Sequence, residues 1–409
     1  MNNQSIVIPG VQIGVPSTTA SLRSLADIHT IVVSESLPIP AGYSRYCDET
    51  IAVPDPETDL PGYKDALLTL AAREDVKAIL PIREFDIYVL AKYRSEFAEF
   101  ISPVWPEIDV LRAAHDRIKL FDLAADVNIP IPETGLLTDD EFAARERVIK
   151  ARYAVLTSDY TPEIQESASK DPPKQRYFSA DNPPDPAEVT AAMGHVPLMQ
   201  EYIKGQEFTY RAIYHDGQPQ AESIMRKFRC MRYYGGTSVY RDIVDIPEVY
   251  ELGRRLLDHI GWEGIASVQF IRDERTGEFK LLEINPRLWA SVECDIQAGV
   301  DWPRYYWDLS TRGSIRETND NPLSKPTHHL FGELTYLKSV LTDEFPFDDP
   351  PSFPRAVWDV GRSLITNPRF DSLRLSDPLP FVVEGIHRTV PPRAWPSPVQ
   401  PSAGDASRG

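Results

Sequence analysis

The chain has 409 residues, 42% apolar and 10% aromatic, with 61 acidic against 43 basic side chains and a net charge of −18. That length supports two or three domains with full cores, and that charge argues against nucleic acid as a partner. No apolar run approaches the roughly 18 residues of a spanning helix, so no membrane partner is expected. Residues 5–8 form a short apolar strand feeding a glycine-bearing loop, Pro9-Gly10-Val11-Gln12-Ile13-Gly14. A helix over 17–25, a strand over 29–33, a strand at 51–53, a helix over 62–73 and a strand over 77–80 follow. Strands alternating with helices predict βαβ units and a parallel sheet. The loop lacks the full G-x-G-x-x-G pattern, which argues against a dinucleotide site. Glu84, just after the fourth strand, is read either as a substrate contact or as a solvated helix start.

A domain boundary is expected near 112–116. An amphipathic helix over 115–125 ends at Asn128-Ile129-Pro130-Ile131-Pro132, and residues 147–150 make a short strand ending in Lys150. Residues 153–157 also read as a strand. Residues 158–190 contain no glycine and are polar and proline-rich, which predicts a flexible loop with Lys170, Lys174 and Arg176 as its charges. Residues 223–229 are a strand with three basic side chains, followed by Gly235-Gly236 and Arg241. Arg226, Lys227 and Arg241 suit phosphates or a carboxylate substrate. The helix over 249–257 is read as structural.

Residues 266–271 and 280–287 are β-rich runs around a polar turn with Gly277, so they form a hairpin. With its centre near Thr276, Gln269 faces Glu283, and Asn285 shares their side of the sheet. Val268, Phe270, Leu282 and Ile284 are then expected on the core side. Two amide oxygens and a carboxylate, with Arg287 just beyond, suit Mg²⁺ shared with substrate phosphates. The plain alternative is a solvated polar face.

Glu283-Ile284-Asn285-Pro286-Arg287, with the residues around it, resembles the end of an ATP-grasp domain. The Gln269, Glu283, Asn285 and Arg287 set is most similar to the large-chain carbamoyl phosphate synthetase branch. Asp116-Arg117 with Ile129-Pro130-Ile131-Pro132 resembles the entry to such domains, and residues 197–209 resemble their hinge. The resemblance implies an α/β (α+β grasp) architecture. Residues 1–114 would be a parallel-sheet pre-grasp domain, 115–310 a two-subdomain ATP-grasp fold and 311–387 a helical extension, with a disordered tail over 388–409. It also implies that Arg117 and Lys150 reach the nucleotide phosphates. The backbone at Glu201, Tyr202 and Ile203 would pair with adenine, and Glu207 would take the ribose hydroxyls. Gln269, Glu283 and Asn285 would bind Mg²⁺ or Mn²⁺, and Arg287, Lys150 and Arg241 would serve catalysis. The plain alternative for Arg117 is a solvated arginine on a surface helix. The chain departs from the family where a glycine-rich phosphate loop should follow Lys150.

The expected activity is ATP-dependent carboxylate–amine ligation through an acyl phosphate. The alternatives are phosphorylation of bicarbonate or carbamate, and an ATP-binding regulatory or scaffold protein of weak turnover. Expected partners are ATP, a small carboxylate and an amine, with a homodimer possible. Cys47, Cys230 and Cys294 lack metal spacing, and His328-His329 has no further ligands nearby in sequence. The N-terminus lacks a basic n-region and a long apolar stretch, so a cytoplasmic location is expected. Asp outnumbers Glu 33 to 28 and Arg outnumbers Lys 31 to 12, with the acidity dispersed along the chain. That pattern is expected of a salt-loaded, halophilic cytoplasm.

Overall fold

The structure, a computed structural model, describes residues 4–10, 12–24, 28–138, 146–178, 185–318, 322 and 324–388. The expected proline-rich tail beyond Arg388 lies outside these residues. β1 (Gln4–Pro9), α1 (Val15–Ser24), β2 (Ile28–Ser34), β3 (Glu49–Ala52), α2 (Leu60–Ala71), β4 (Val76–Ile79), α3 (Glu84–Lys92) and α4 (Arg94–Ala98) build the first unit. Its strands pair in parallel in the order β3-β2-β1-β4. β1 and β2 read as unbroken apolar runs because both faces of a parallel sheet are covered. Val7, Ile31 and Ile79 pack with Tyr63 and Leu67 of α2 in one core cluster.

α5 (Ile108–His115) and α6 (Arg117–Asp126) lead into the second unit. The predicted helix over 115–125 is α6, which starts two residues later, after Asp116. That side chain accepts a hydrogen bond from the Ile118 N–H at 3.2 Å, which caps α6 and ends α5. β5 (Thr134–Leu136), β6 (Arg147–Lys150), β7 (Arg176–Phe178), α7 (Pro186–Met193) and β8 (Leu198–Glu201) follow, and the strands form an antiparallel sheet ordered β5-β8-β6-β7. Residues 153–157 are not the predicted strand: Tyr153 makes one isolated bridge, to Asp116, and Leu156 another, to Lys170. The region read as a flexible loop contributes β7, which pairs with β6 from Arg147 to Ile149.

β9 (Gly205–His215), β10 (Gln218–Arg232), β11 (Gly235–Val244), α8 (Pro247–Ile260), β12 (Gly264–Asp273) and β13 (Phe279–Asn285) come next. After them lie α9 (Val292–Ala298), α10 (Trp302–Arg312), β14 (Thr327–His328), α11 (Leu330–Thr342), α12 (Phe353–Thr366) and α13 (Leu379–His387). The six strands of this sheet run β13-β12-β9-β10-β11-β14. α8 closes one side with Val249, Leu252, Leu256 and Leu257 against Tyr210, Val268 and Phe270. Ile6, Ile8, Val32 and Ala78 of the parallel sheet share a core with Trp302, Tyr305 and Tyr306 of α10. The two units are thereby joined through apolar packing. Gly205 opens β9 because a Cβ there would overlap the carbonyl oxygen of Arg272 on the neighbouring strand. Among the described residues, no helix is long and apolar enough to cross a membrane.

Candidate active site

The hairpin β12–β13 pairs Gln269 with Glu283 and Ser267 with Asn285, as the alternation predicts. Val268, Phe270 and Ile284 enter the core. Leu282 does not. A register shift between Gln269 and Phe270 sets Phe270 opposite Leu281. Leu281 is therefore the buried residue, and Leu282 lines the cleft beside Glu283. The extra residue is a β-bulge, which alternation alone does not reveal.

The cleft, of about 1310 Å³, lies between the four-stranded and six-stranded sheets. β6 and β8 contribute Lys150 and Gln200, while β9, β10, β12 and β13 contribute Glu207, Lys227, Gln269, Glu283 and Asn285. Arg117, held at the start of α6, reaches across to Glu283 at 2.6 Å and to the Ala151 carbonyl at 2.8 Å. Asn285 Nδ2 donates to the other Glu283 oxygen at 3.3 Å. Burial pushes the Glu283 carboxyl up, but Arg117, Lys150 and the Asn285 amide outweigh it and hold its pKa at about 2. The group is thus a carboxylate at every physiological pH. Lys150 donates to Gln200 Oε1 at 2.8 Å. Burial lowers its pKa to about 8, with Arg117 and Lys227 adding to the shift and Glu283 and Glu207 opposing it.

One carboxylate and two amides form the proposed cation set. Among the described residues, no group of three His, Cys, Asp or Glu side chains is arranged to hold a metal. Amide and carboxylate oxygens of this kind suit a hard divalent cation that brings phosphate oxygens with it. Alone they carry too little charge to offset the dehydration of such an ion.

Arg287 points its Nε at Glu84, 2.6 Å away, and Glu84 also lies 3.3 Å from His115 Nε2. The solvated reading of Glu84 is thus corrected: it is enclosed, and it ties the parallel-sheet unit to the cleft. Burial would raise its carboxyl pKa, but Arg287 and His115 hold it low.

At the hinge, the Glu201 N–H is given to Glu133 O at 2.8 Å and the Tyr202 N–H to Glu146 O at 3.3 Å. The sheet therefore uses these two donors, while Ile203 lines the cleft. The Glu201 side chain faces Lys280 at 2.7 Å. Glu207 pairs closely with Lys227. Arg241 lines the cleft but is already bound to Asp371 and gives a second hydrogen bond to Ser238 O at 2.8 Å. Arg226 sits on the strand between Met225 and Lys227, which both line the cleft, and alternation turns it away, over Phe228. Lys174 lines the cleft, whereas Lys170 and Arg176 do not.

Several residues escaped sequence reasoning. Gln200 carried no signal, since it lies inside an apolar strand. Asp371, Phe345 and Phe347 come from the C-terminal extension. Phe347 packs on Tyr202 at 4.6 Å, Phe345 stacks on Tyr234 at 4.4 Å, and Asp348 pairs with Lys204 at 2.6 Å. The extension therefore closes the outer rim of the cleft. His328 and His329 pair with Glu333 at 2.7 Å and Glu384 at 3.2 Å, a structural use.

The family model described as ATP-grasp in the biosynthetic pathway with Ter operon matches residues 195–328. Comparison with curated proteins by sequence gives no match. Among solved structures, the L-amino acid ligase of Bacillus licheniformis is similar at TM-score 0.60 and 12% identity, over 79% of this chain and 79% of that one. The biotin carboxylase domain of Hydrogenobacter thermophilus 2-oxoglutarate carboxylase, solved with Mg-ADP, ADP and bicarbonate, is similar at TM-score 0.57 and 16% identity, over 79% and 72%. Rhizobium etli pyruvate carboxylase is similar at TM-score 0.55 and 15% identity over 75% of this chain, which spans only 27% of that protein's length. The chain therefore has the ATP-grasp fold, with the family match carried by its residues 195–328.

Proposed function

We propose that the chain is an ATP-dependent carboxylate–amine ligase. One observation carries this reading: Lys150, Arg117, Arg287 and the Gln269–Glu283–Asn285 face all line one cleft that has room for a nucleotide and a second ligand. Lys150 and Arg117 bind the nucleotide phosphates, Ile203 offers its N–H to the base and Glu207 accepts from the ribose. Gln269, Glu283 and Asn285 would hold Mg²⁺, which when bound would neutralise phosphate charge. Arg117, now paired with Glu283, would exchange it for a phosphate oxygen. A substrate carboxylate oxygen attacks the γ-phosphorus and ADP departs. Arg287, oriented by Glu84, offsets the charge on the transferring group. An amine then attacks the acyl carbon, the C–O bond to phosphate breaks, and the nitrogen loses a proton. Positioning and electrostatics suffice for this chemistry, so no protein nucleophile is needed.

A second cavity of about 490 Å³ shares Gln12 and Arg287 with the cleft and is lined by Glu35, Asp55, Glu57 and Asp171. Its acidic lining favours a cationic amine over a second anion. Lys174 supplies phosphate charge where the family's glycine-rich loop supplies backbone donors.

ADP release from Mg-ATP, measured with pools of carboxylates and amines, tests the reading. Release is expected only when a carboxylate and an amine are both present, and Glu283→Ala abolishes it while ATP-independent folding persists. Unchanged turnover in Glu283→Ala sinks the metal assignment. Release with bicarbonate alone favours the carboxyl-phosphorylating alternative, to which the carboxylase neighbours give support. Bound ATP with no release from any pool favours a regulatory protein.

A further inference from the structure

The glycine-free segment that follows Lys150 is held from outside, by residues of the C-terminal extension. β7 lies at the edge of its sheet and pairs with β6 alone, over three residues. So short an edge strand has little stability of its own. Successive side chains of a strand point to opposite faces. Phe178 packs against the cluster of Leu137, Ile149, Val189 and Met199. Tyr177 takes the other face and lines the cleft. There it meets four rings: Phe345 at 4.7 Å, Tyr234 at 6.0 Å, Phe347 at 6.1 Å and Tyr202 at 6.2 Å. All four are edge-on to it, a favoured geometry for aromatic pairs.

The loop that brings Phe345 and Phe347 is itself braced. Asp343 accepts from the Tyr234 hydroxyl at 3.2 Å, and Asp348 pairs with Lys204 at 2.6 Å. Pro346 fixes one backbone torsion between the two phenylalanines. Residues 343–348 are thus a strap tied to the β10–β11 turn at one end and to the hinge at the other, with Tyr177 against both of its rings. The strap and β7 both lie outside residues 195–328, which the family model matches.

The placement of Lys174 depends on this anchor. Lys174 lines the cleft. Before it, Lys170 exchanges both backbone hydrogen bonds with Leu156, each at 2.9 Å. After it comes β7. Pro172-Pro173 stiffens the span between these two fixed points. A lysine is a point charge on a flexible stem, so its value to a phosphate depends on where its backbone is fixed. With Tyr177 released, that backbone would be left to three residues of edge pairing.

We propose that Phe345 and Phe347 are positioning residues: through Tyr177 they hold β7, and Lys174 with it, over the nucleotide phosphates. The proposal rests on the nucleotide reading of the cleft. Hydrogen exchange of the nucleotide-free full chain, with calorimetry of Mg-ATP binding, tests it. In the double variant Phe345→Ala/Phe347→Ala, exchange at residues 174–178 speeds up at least about tenfold while β9 and β12 keep their protection. The Mg-ATP dissociation constant rises about tenfold. Lys174→Met raises that constant about tenfold in the otherwise unchanged chain, yet hardly changes it in the double variant, where the lysine is already displaced. Tyr177→Ala alters the edge strand alone and leaves the strap's own residues in place. It gives the same pattern, so a folding fault in the double variant does not decide the result. Unchanged exchange at 174–178 overturns the proposal and leaves the nucleotide reading standing. Equal losses from Lys174→Met in both backgrounds do the same. An unchanged chain that binds no Mg-ATP overturns both.

Discussion

Lys150 offers the sharpest test of the nucleotide site. Its pKa lies near 8 in the nucleotide-free protein rather than at 10.5. The sign follows directly. A lysine with a depressed folded pKa destabilises the fold below pH 8, where both states are charged, and this cost vanishes as the pH rises towards 10.5. The cost is on the order of 3 kcal/mol. Phosphates placed beside the ammonium favour its charged form and restore the ordinary pKa. ATP binding must then take up a proton: about 0.1 at pH 7, about 0.5 at pH 8 and about 0.9 at pH 9. Through this group alone, the ATP dissociation constant rises about tenfold between pH 7 and pH 9. The ATP phosphates are fully ionised over the upper part of that window and contribute little. Isothermal titration calorimetry in two buffers of different ionisation enthalpy reads the proton count. Lys150→Met abolishes the uptake and weakens binding at pH 7 by about 2 kcal/mol, roughly thirtyfold, with a smaller loss at pH 9. No proton uptake at any pH, or equal uptake in Lys150→Met, would refute the assignment.

Three further outcomes are expected. Nucleotide-free protein should bind no Mg²⁺ measurable by calorimetry, because Glu283 is the lone carboxylate of its set and is engaged by Arg117; tight metal binding without nucleotide sinks the shared-phosphate argument. Glu84→Gln loosens Arg287 and should lower kcat about ten- to a hundredfold while ATP affinity stays unchanged, and an equal effect on both would place Glu84 elsewhere in the mechanism. Gly205→Ala forces a methyl against the Arg272 carbonyl and should cost about 2–3 kcal/mol in urea unfolding; a neutral result would show that the hinge strand yields freely.

The sequence by itself determined the elements whose patterns are local. Buried apolar runs announced the parallel sheet, since β1 and β2 are covered on both faces. Period-two alternation placed Gln269, Glu283 and Asn285 together, because a hairpin's register is set by its own turn and the partners are near in sequence. Tertiary structure alone decided the rest. Leu281 replaced Leu282 in the core through a bulge. Arg241 met Asp371, 130 residues away, and Arg287 met Glu84, 203 residues away. Such pairs leave no periodic trace, because an ion pair depends on where two distant segments are brought by packing and not on spacing along the chain. For the same reason, nothing in the sequence singled out Phe345 and Phe347, which the fold sets against Tyr202 and Tyr234 at the rim of the cleft.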